Sequence, residues 1–213
     1  MRVERCFGFI DLCGFTSFTD RHADDEVVLV LAEMRTALRE AAARRGVRVV
    51  KWLGDGAMLS SPDVTAVIGL VLELDARMAE ALPSLPLRAG LACGPVIMFE
   101  GDDYIGRSVN LASRLCSEAQ PREILATTVV AADLPAWAVA GDVHPVAGRG
   151  LDVPAQVVGL AVRTDADAVV DPVCGLAVPR AHVAAWDGEQ PFCGSGCLEA
   201  WVERREAAER RAR

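Results

Sequence analysis

Residues 47–60 read VRVVKWLGDGAMLS, and this stretch decides the fold. Val47 to Leu53 is mostly apolar, Gly54-Asp55-Gly56 is a strong turn signal, and Ala57 to Ser60 is again mostly apolar, so a β-hairpin is predicted. The long segment before the hairpin, Asp24 to Arg45, carries apolar residues at helical spacing and is followed by a glycine. We therefore expect an amphipathic helix that leads into the hairpin.

The flanking segments complete an order of elements. Val3 to Ile10 predicts a strand, Asp63 to Leu82 a helix, and Leu87 to Phe99 a strand that Gly94-Pro95 breaks into a second hairpin or a bulge. The order β-α-β-β-α-β is that of a ferredoxin-like α+β core, with a largely antiparallel sheet and helices on one face. Further elements are expected at Ser108 to Glu118 (helix), Ile124 to Thr127 (strand), Val129 to Leu134 (helix) and Val157 to Val162 (strand).

Composition narrows the class of protein. The chain has 213 residues, of which 52% are apolar and 24% charged, enough for one globular domain and a small appendage. The net charge of −8 argues against a nucleic-acid binder, and the arginines of 204–213 alternate with glutamates as on a solvated helix. The sequence has neither a signal-peptide pattern nor a membrane-spanning apolar run, so we expect a cytoplasmic protein with no membrane partner and with reduced cysteines.

Two aspartates stand at predicted strand ends. Asp11 follows the apolar run FGFI, and Asp55 lies in the hairpin turn. Neighbouring segments of a ferredoxin-like sheet would bring the two carboxylates within bridging distance, where they suit hard cations such as Mg²⁺. Two such cations activate a hydroxyl and neutralise a triphosphate. Taken singly, each aspartate is better explained as an ordinary turn residue.

A polar pair is predicted on the helix that follows. In the stretch DDYIGRSVNLASRL, Asn110 and Arg114 are four residues apart and share one helical face. An amide and a guanidinium that project together suit phosphate oxygens and a developing negative charge. The alternative is a surface helix on which Arg114 forms a salt bridge.

The segments FGFIDLCGFT, KWLGDGAML and DYIGRSVNLASRL together resemble the class III nucleotidyl cyclases, in the family's order and over roughly residues 1–162. The resemblance implies an adenylate cyclase that converts ATP to cyclic AMP and pyrophosphate at a homodimer interface. The roles it implies are metal binding (two Mg²⁺ or Mn²⁺) by Asp11 and Asp55, adenine recognition by Lys51 and Asp103, ribose orientation by Asn110, transition-state stabilisation by Arg114, and phosphate binding by Gly14, Phe15 and Thr16.

Hydrogen-bond polarity explains the choice of adenine. Adenine presents an acceptor at N1 and a donor at N6, which match Lys51 and Asp103 respectively. Guanine inverts both groups, and relatives that make cyclic GMP resemble this chain with Glu and Cys at the two positions. A mismatched buried polar group is costly, so two residues can set the choice.

The C-terminal segment differs from the rest. We expect a cyclase domain over residues 1–163, a linker over 164–170 and a second domain over 171–213. Cys174, Cys193 and Cys197 form a C-x18-C-x3-C array there. Thiolate clusters of this kind suit Zn²⁺ or Cu⁺.

The same segment resembles the small YHS (TRASH-like) metal-binding domains, although Leu176 stands where that family has methionine and Pro191 where an aromatic residue is common. The fourth ligand stays open between His182 and Asp171, and a metal-free set of buried thiols is the alternative. For the whole chain, the alternative to an active cyclase is a non-catalytic cyclase-like dimerisation module that serves a metal-sensing or metal-chaperone tail.

Overall fold

A computed structural model describes residues 1–99, 103–147 and 154–211. Its helices are α1 (Phe15–Thr19), α2 (Asp24–Arg45), α3 (Val64–Ala81), α4 (Arg107–Glu118), α5 (Thr128–Ala131) and α6 (Ser195–Arg211). Its strands are β1 (Arg2–Leu12), β2 (Arg48–Leu53), β3 (Gly56–Ser61), β4 (Leu87–Phe99), β5 (Asp103–Ile105), β6 (Ile124–Thr127), β7 (Ala138–Ala140), β8 (His144–Val146), β9 (Ala155–Val162), β10 (Ala168–Val170), β11 (Ala177–Pro179), β12 (Ala185–Asp187) and β13 (Gln190–Phe192).

The main sheet runs in the order β2-β3-β1-β4-β6-β9-β7, with β5 added to β4 and β8 to β9. The β4–β6 pair is parallel and the others are antiparallel, as expected for an α+β sheet of this type. The predicted hairpin is confirmed, because β2 and β3 pair across Gly54 and Asp55.

The two helices of the predicted core, α2 and α3, share one face of this sheet as expected, and the later helix α4 covers the other face. Ile10 and Leu91 point into a core formed with α2 and α3. Phe7 and Ala92, on the other face, pack with Ala112 of α4. Because side chains alternate along a strand, β1 and β4 carry apolar residues on both faces and can bury both.

Strand β4 is continuous, which corrects the predicted break at Gly94-Pro95. It pairs with β1 along its length, from Leu12 opposite Leu87 to Arg2 opposite Ile97. Its pairing with β6 ends at Leu91, and its pairing with β5 begins at Ile97. Among the described strands, none pairs with β4 at Pro95 on the side away from β1, and a missing N–H is tolerated there.

Local sequence explains the ends of the two long helices. Helix α2 begins with three acidic residues, ends with two arginines and stops at Gly46, whose φ is 65°. The charges at both ends stabilise the helix by interacting favourably with its dipole. The predicted bounds of this helix are confirmed. Helix α3 is capped by Asp63, whose carboxylate accepts from the backbone N–H of Ala66 at 3.3 Å. Its residues from Ala66 to Leu74 are all buried, which fixes it under the sheet.

Two of the cysteines expected to be reduced are joined. Cys6 of β1 and Cys93 of β4 lie directly opposite each other and form a disulfide. The residues are 87 positions apart, so only the strand register brings them together. The expectation of reduced thiols was therefore wrong for this pair.

The C-terminal segment consists of two small hairpins and a helix. Strands β10 and β11 pair, as do β12 and β13, and α6 follows. Strand β10 begins at Ala168, inside the stretch expected to be a linker. Among the described helices, none is both long and apolar enough to cross a bilayer.

Candidate active site and cysteine cluster

The two predicted metal-binding carboxylates lie beside each other. Asp11 is near the end of β1, and Asp55 is in the turn that joins β2 to β3. Strand β3 pairs with β1 from Ala57 opposite Ile10, so the turn passes next to Asp11. A side chain at Gly56 would lie 2.4 Å from the Ile10 carbonyl oxygen and 3.3 Å from Asp11 Oδ1, so this close approach requires glycine.

Arg88 is a third member of this group, and the sequence analysis missed it. It faces Asp11 across the β1–β4 ladder, and its Nη2 and Nε donate to Asp11 Oδ2 at 2.6 and 2.9 Å. Its Nη1 also donates to the Ser117 carbonyl of α4 at 3.3 Å. Strand alternation alone does not single out this arginine, because its partner is 77 residues away and depends on the register.

The electrostatic environment of Asp11 and Asp55 suits a bound cation. Burial, and then the charge of Asp11, raise the pKa of the Asp55 carboxyl above its ordinary value, while backbone N–H groups of Asp55 and Leu12 oppose the rise. Burial is also the main cause that raises the pKa of the nearby Cys13 thiol. Two carboxylates held this close repel each other unless positive charge lies between them, so their oxygen donors fit a hard divalent ion.

Lys51 and Asp103 form an ion pair. Lys51 Nζ donates to Asp103 Oδ2 at 2.6 Å, and the backbone N–H of Tyr104 donates to Asp103 Oδ1 at 2.8 Å. The side chains are 47% and 42% exposed, so both remain accessible to a ligand. The hydrogen bond from Lys51 is the main reason that the pKa of the Asp103 carboxyl lies below its ordinary value. Asp103 is thus a hydrogen-bond acceptor at neutral pH.

Helix α4 carries the predicted polar pair. Asn110 is exposed, one turn before the partly buried Arg114. Arg114 Nη2 pairs with Glu118 Oε1 at 2.9 Å, which is the salt bridge considered as its alternative role, while its buried Nε has no partner among the described residues. In the described part of the chain, Asp11, Lys51 and Arg114 form ion pairs with three different partners, which are Arg88, Asp103 and Glu118.

The predicted phosphate-binding residues open a short helix. Gly14 adopts φ 83° and caps α1, whose first residues are Phe15 and Thr16. The first N–H groups of a helix have no partner within it. Those of α1 follow directly after β1, the strand that carries Asp11.

Comparison with known proteins identifies this fold. The profile described as "Adenylate and Guanylate cyclase catalytic domain" matches residues 4–144. The chain belongs to this family. An uncharacterized protein of Mycobacterium tuberculosis is 38% identical over 151 residues, covering 69% of this chain and 38% of the relative. A Streptomyces coelicolor protein named adenylate cyclase is 37% identical over 127 residues, covering 60% of this chain and 33% of the relative.

Solved structures share the cyclase fold. The crystal structure of the adenylyl cyclase CyaB from P. aeruginosa matches with a TM-score of 0.70 at 24% identity, covering 78% of this chain and 97% of that chain. A guanylyl cyclase crystal structure matches with a TM-score of 0.69 at 19% identity, covering 78% and 96%. This chain covers well under half of the length of the Mycobacterium tuberculosis and Streptomyces coelicolor relatives.

Beyond the cyclase domain, the three C-terminal cysteines converge. Cys174 Sγ and Cys197 Sγ lie 3.6 and 3.7 Å from Cys193 Sγ. Two sulfurs bound to one tetrahedral Zn²⁺ at about 2.3 Å are about 3.8 Å apart, so the spacing fits such an ion. Hydrogen bonds from the Cys174 and Cys197 thiols and the Arg45 guanidinium lower the pKa of the Cys193 thiol.

The structure places one of the two fourth-ligand candidates at this cluster. A carboxylate oxygen of Asp171 lies within 4.8 Å of all three sulfurs, and all four residues are buried. The carboxylate also accepts from the backbone N–H groups of Val173, Cys174 and Cys193 at 2.8, 3.2 and 2.8 Å. His182 is not in this group.

Proposed function

We propose that the chain is an adenylate cyclase that forms 3′,5′-cyclic AMP and pyrophosphate from ATP in intracellular signal transduction. The observation that carries the choice of ATP is the Lys51–Asp103 pair, which sets a hydrogen-bond donor beside an acceptor at 2.6 Å on an accessible surface. Named adenylate cyclases among the relatives support the same choice. Incubation with ATP or GTP and Mn²⁺ tests it: cyclic AMP should form, and cyclic GMP should form much more slowly.

Asp11 and Asp55 would hold two Mg²⁺ or Mn²⁺ ions. Bound there, the ions would supply activation of the ribose 3′-hydroxyl and neutralisation of the phosphates. Arg88, which now pairs with Asp11, is placed to meet phosphate oxygens that arrive at these carboxylates. The N–H groups after Gly14 would bind the same phosphates.

Asn110 and Arg114 would act on the reacting atoms. The amide of Asn110 would orient the ribose, so that the 3′-oxygen lies in line with the α-phosphorus. Arg114 would leave its salt bridge with Glu118 and stabilise the negative charge that develops on the phosphate. Proton transfer and pyrophosphate release would then need no further side chain, since positioning and charge stabilisation account for most catalysis of phosphoryl transfer.

The three groups of residues would meet in a homodimer. Asp11 and Asp55 of one protomer would face Lys51, Asp103, Asn110 and Arg114 of the other. Within the described part of one chain, Asp11, Lys51 and Arg114 have three different ion-pair partners. A two-fold dimer would place the two carboxylates of each protomer opposite the base-recognition residues and the polar pair of helix α4 of the other protomer. It would thus form two equivalent sites.

Substitution of both base-recognition residues should lower the turnover of ATP. The double variant Lys51→Glu with Asp103→Cys presents an acceptor to adenine N1 and removes the acceptor for N6. ATP turnover should fall by about 10²-fold or more, because two matched polar contacts are lost. Initial rates with ATP and GTP measure the effect, and a double variant with normal ATP turnover would show that the assignment is wrong.

The C-terminal segment would bind a soft or borderline metal such as Zn²⁺ or Cu⁺ through Cys174, Cys193 and Cys197. The sulfur spacing and the burial of the cluster support this role. We propose that residues 171–213 form a metal-binding domain attached to a cyclase domain over 1–163.

Removal of two of these thiols should abolish metal binding. Protein purified without chelator should contain about one equivalent of Zn or Cu, and Cys193→Ser with Cys197→Ser should contain none, because one remaining thiolate cannot form a closed site. Elemental analysis measures the content, with Cys116→Ser as the control because that cysteine is buried in α4. A metal-free wild type that also ignores added Zn²⁺ and Cu⁺ would refute the proposal.

A further inference from the structure

The cysteine cluster is built against the end of helix α2 in the cyclase domain. Trp137 Nε1 donates to the Cys193 carbonyl at 2.8 Å and is buried. A side chain at Gly196, in the first turn of α6, would lie 2.1 Å from the Arg44 carbonyl oxygen. The cluster cysteines belong to the same apolar core as α2 and α3. The two parts of the chain are therefore packed together at the cluster.

Arg45, the last residue of α2, contacts the cluster directly. Its Nη2 donates to Cys193 Sγ at 3.0 Å, and its Nε donates to Glu73 Oε2 at 2.9 Å. The arginine side chain is 9% exposed and that of Glu73 is fully buried. Arg44 also binds Glu73. Two arginines and one carboxylate leave one excess positive charge beside the sulfurs.

Helix α3 leaves space for the guanidinium of Arg45 at Gly69. A side chain at Gly69 would lie 2.6 Å from Arg45 Nη1. Glycine in a helix interior is less favourable than alanine, so its presence here is explained by the space that the guanidinium needs. Gly69 and Glu73 are one turn apart on the same face, so the first makes room for the guanidinium and the second binds it.

We propose that Arg45 is a positioning residue of the C-terminal metal site and couples ion binding to the contact between the two domains. This rests on the proposed metal binding by the three cysteines. Three thiolates, the Asp171 carboxylate and a dication carry two excess negative charges, and the positive group around Glu73 compensates one of them. Backbone N–H groups stabilise the Asp171 carboxylate, so removal of the Arg45 charge would leave further buried negative charge without a partner, at high cost.

Coupling follows from the position of Arg45. A hydrogen bond to a ligand atom orients the ligand and tunes the ion, and such partners typically change metal affinity by about 10- to 100-fold. Because binding free energies are reciprocal, an ion that strengthens this contact also strengthens the packing of α6 on α2. A cavity of about 510 Å³ between the domains, lined by Arg45, Trp137, His182 and Cys193, gives the ion a route to the cluster.

The test compares four full-length proteins: wild type, Arg45→Met, Gly69→Ala and the control Arg77→Met. Gly69→Ala keeps the charge of Arg45 but displaces it, and thermal unfolding without Zn²⁺ shows directly whether each variant is folded. Arg77 lies near the same Glu73, at 4.0 Å, but pairs chiefly with Glu40. Zn²⁺ affinity is measured by competition with a chromophoric chelator, Cu⁺ affinity in the same way, and thermal unfolding with and without Zn²⁺.

Arg45→Met and Gly69→Ala should bind Zn²⁺ about 10- to 100-fold more weakly than wild type and lose part of the Zn²⁺-dependent rise in melting temperature. Their Cu⁺ affinity should fall as well, because the hydrogen bond to Cys193 is lost for either ion, and Arg77→Met should match wild type. Wild-type affinity for Zn²⁺ in both variants would overturn the role of Arg45 while leaving metal binding intact. A wild type that binds neither ion would instead refute the metal site and the inference with it.

Discussion

Replacement of Asp11 by asparagine should lower cyclic AMP synthesis by about 10³-fold or more. The change keeps the shape of the side chain but removes one of two carboxylates and, with it, the ion pair with Arg88. A bound cation contributes several kcal/mol to charge stabilisation, and each ~1.4 kcal/mol is a factor of ten in rate. Initial rates at saturating Mn²⁺ and ATP measure the loss.

A matched control separates this effect from general damage to the fold. Asp75 is also partly buried and paired with an arginine, Arg122, at 3.2 Å, but it lies on helix α3 and has no described ion pair with Arg88. Asp75→Asn should keep near-normal turnover. If both variants lose activity equally, or if Asp11→Asn stays active, Asp11 does not hold a catalytic ion.

Mixing two inactive variants should restore activity. Asp11→Ala should inactivate both sites of a homodimer, and so should Asn110→Ala combined with Arg114→Ala. In a mixed dimer, one site contains every defect and the other is built from intact residues. With free exchange of chains, half of the dimers are mixed and each has one intact site, so activity should recover to about a quarter of wild type under two-fold symmetry.

The control for this experiment is the composition of the mixture. Each variant carries a different affinity tag, and sequential capture shows whether mixed dimers have formed. Combining Asp11→Ala with Asp55→Ala should give no recovery, since both changes affect the same half of the site. Mixed dimers without activity in the first pairing would mean that each site is formed within one chain.

Features set by neighbours in sequence were predictable. Helix α2 has the predicted bounds, because its acidic start, its arginines and Gly46 all agree. The approach of Asp55 to Asp11 follows from the hairpin and its place beside β1. These features depend on periodicity and turn chemistry, which can be read from a short window.

Features set by long-range register were not predictable. The Asp11–Arg88 pair joins residues 77 apart, and the Arg45–Cys193 contact joins residues 148 apart. The continuity of β4 through Pro95 depends on strand pairings that only the sheet order reveals. No single window of sequence contains the partners of these residues.

The most direct test of the central claim is the stoichiometry of products from ATP. Purified protein with ATP and Mn²⁺ should form cyclic AMP and pyrophosphate in equal amounts, with Asp11→Asn as the blank. Equal amounts follow from attack of the 3′-oxygen on the α-phosphorus, which releases the two terminal phosphates together. Formation of ADP and phosphate, or no turnover of ATP at any protein concentration, would contradict the assignment of an adenylate cyclase.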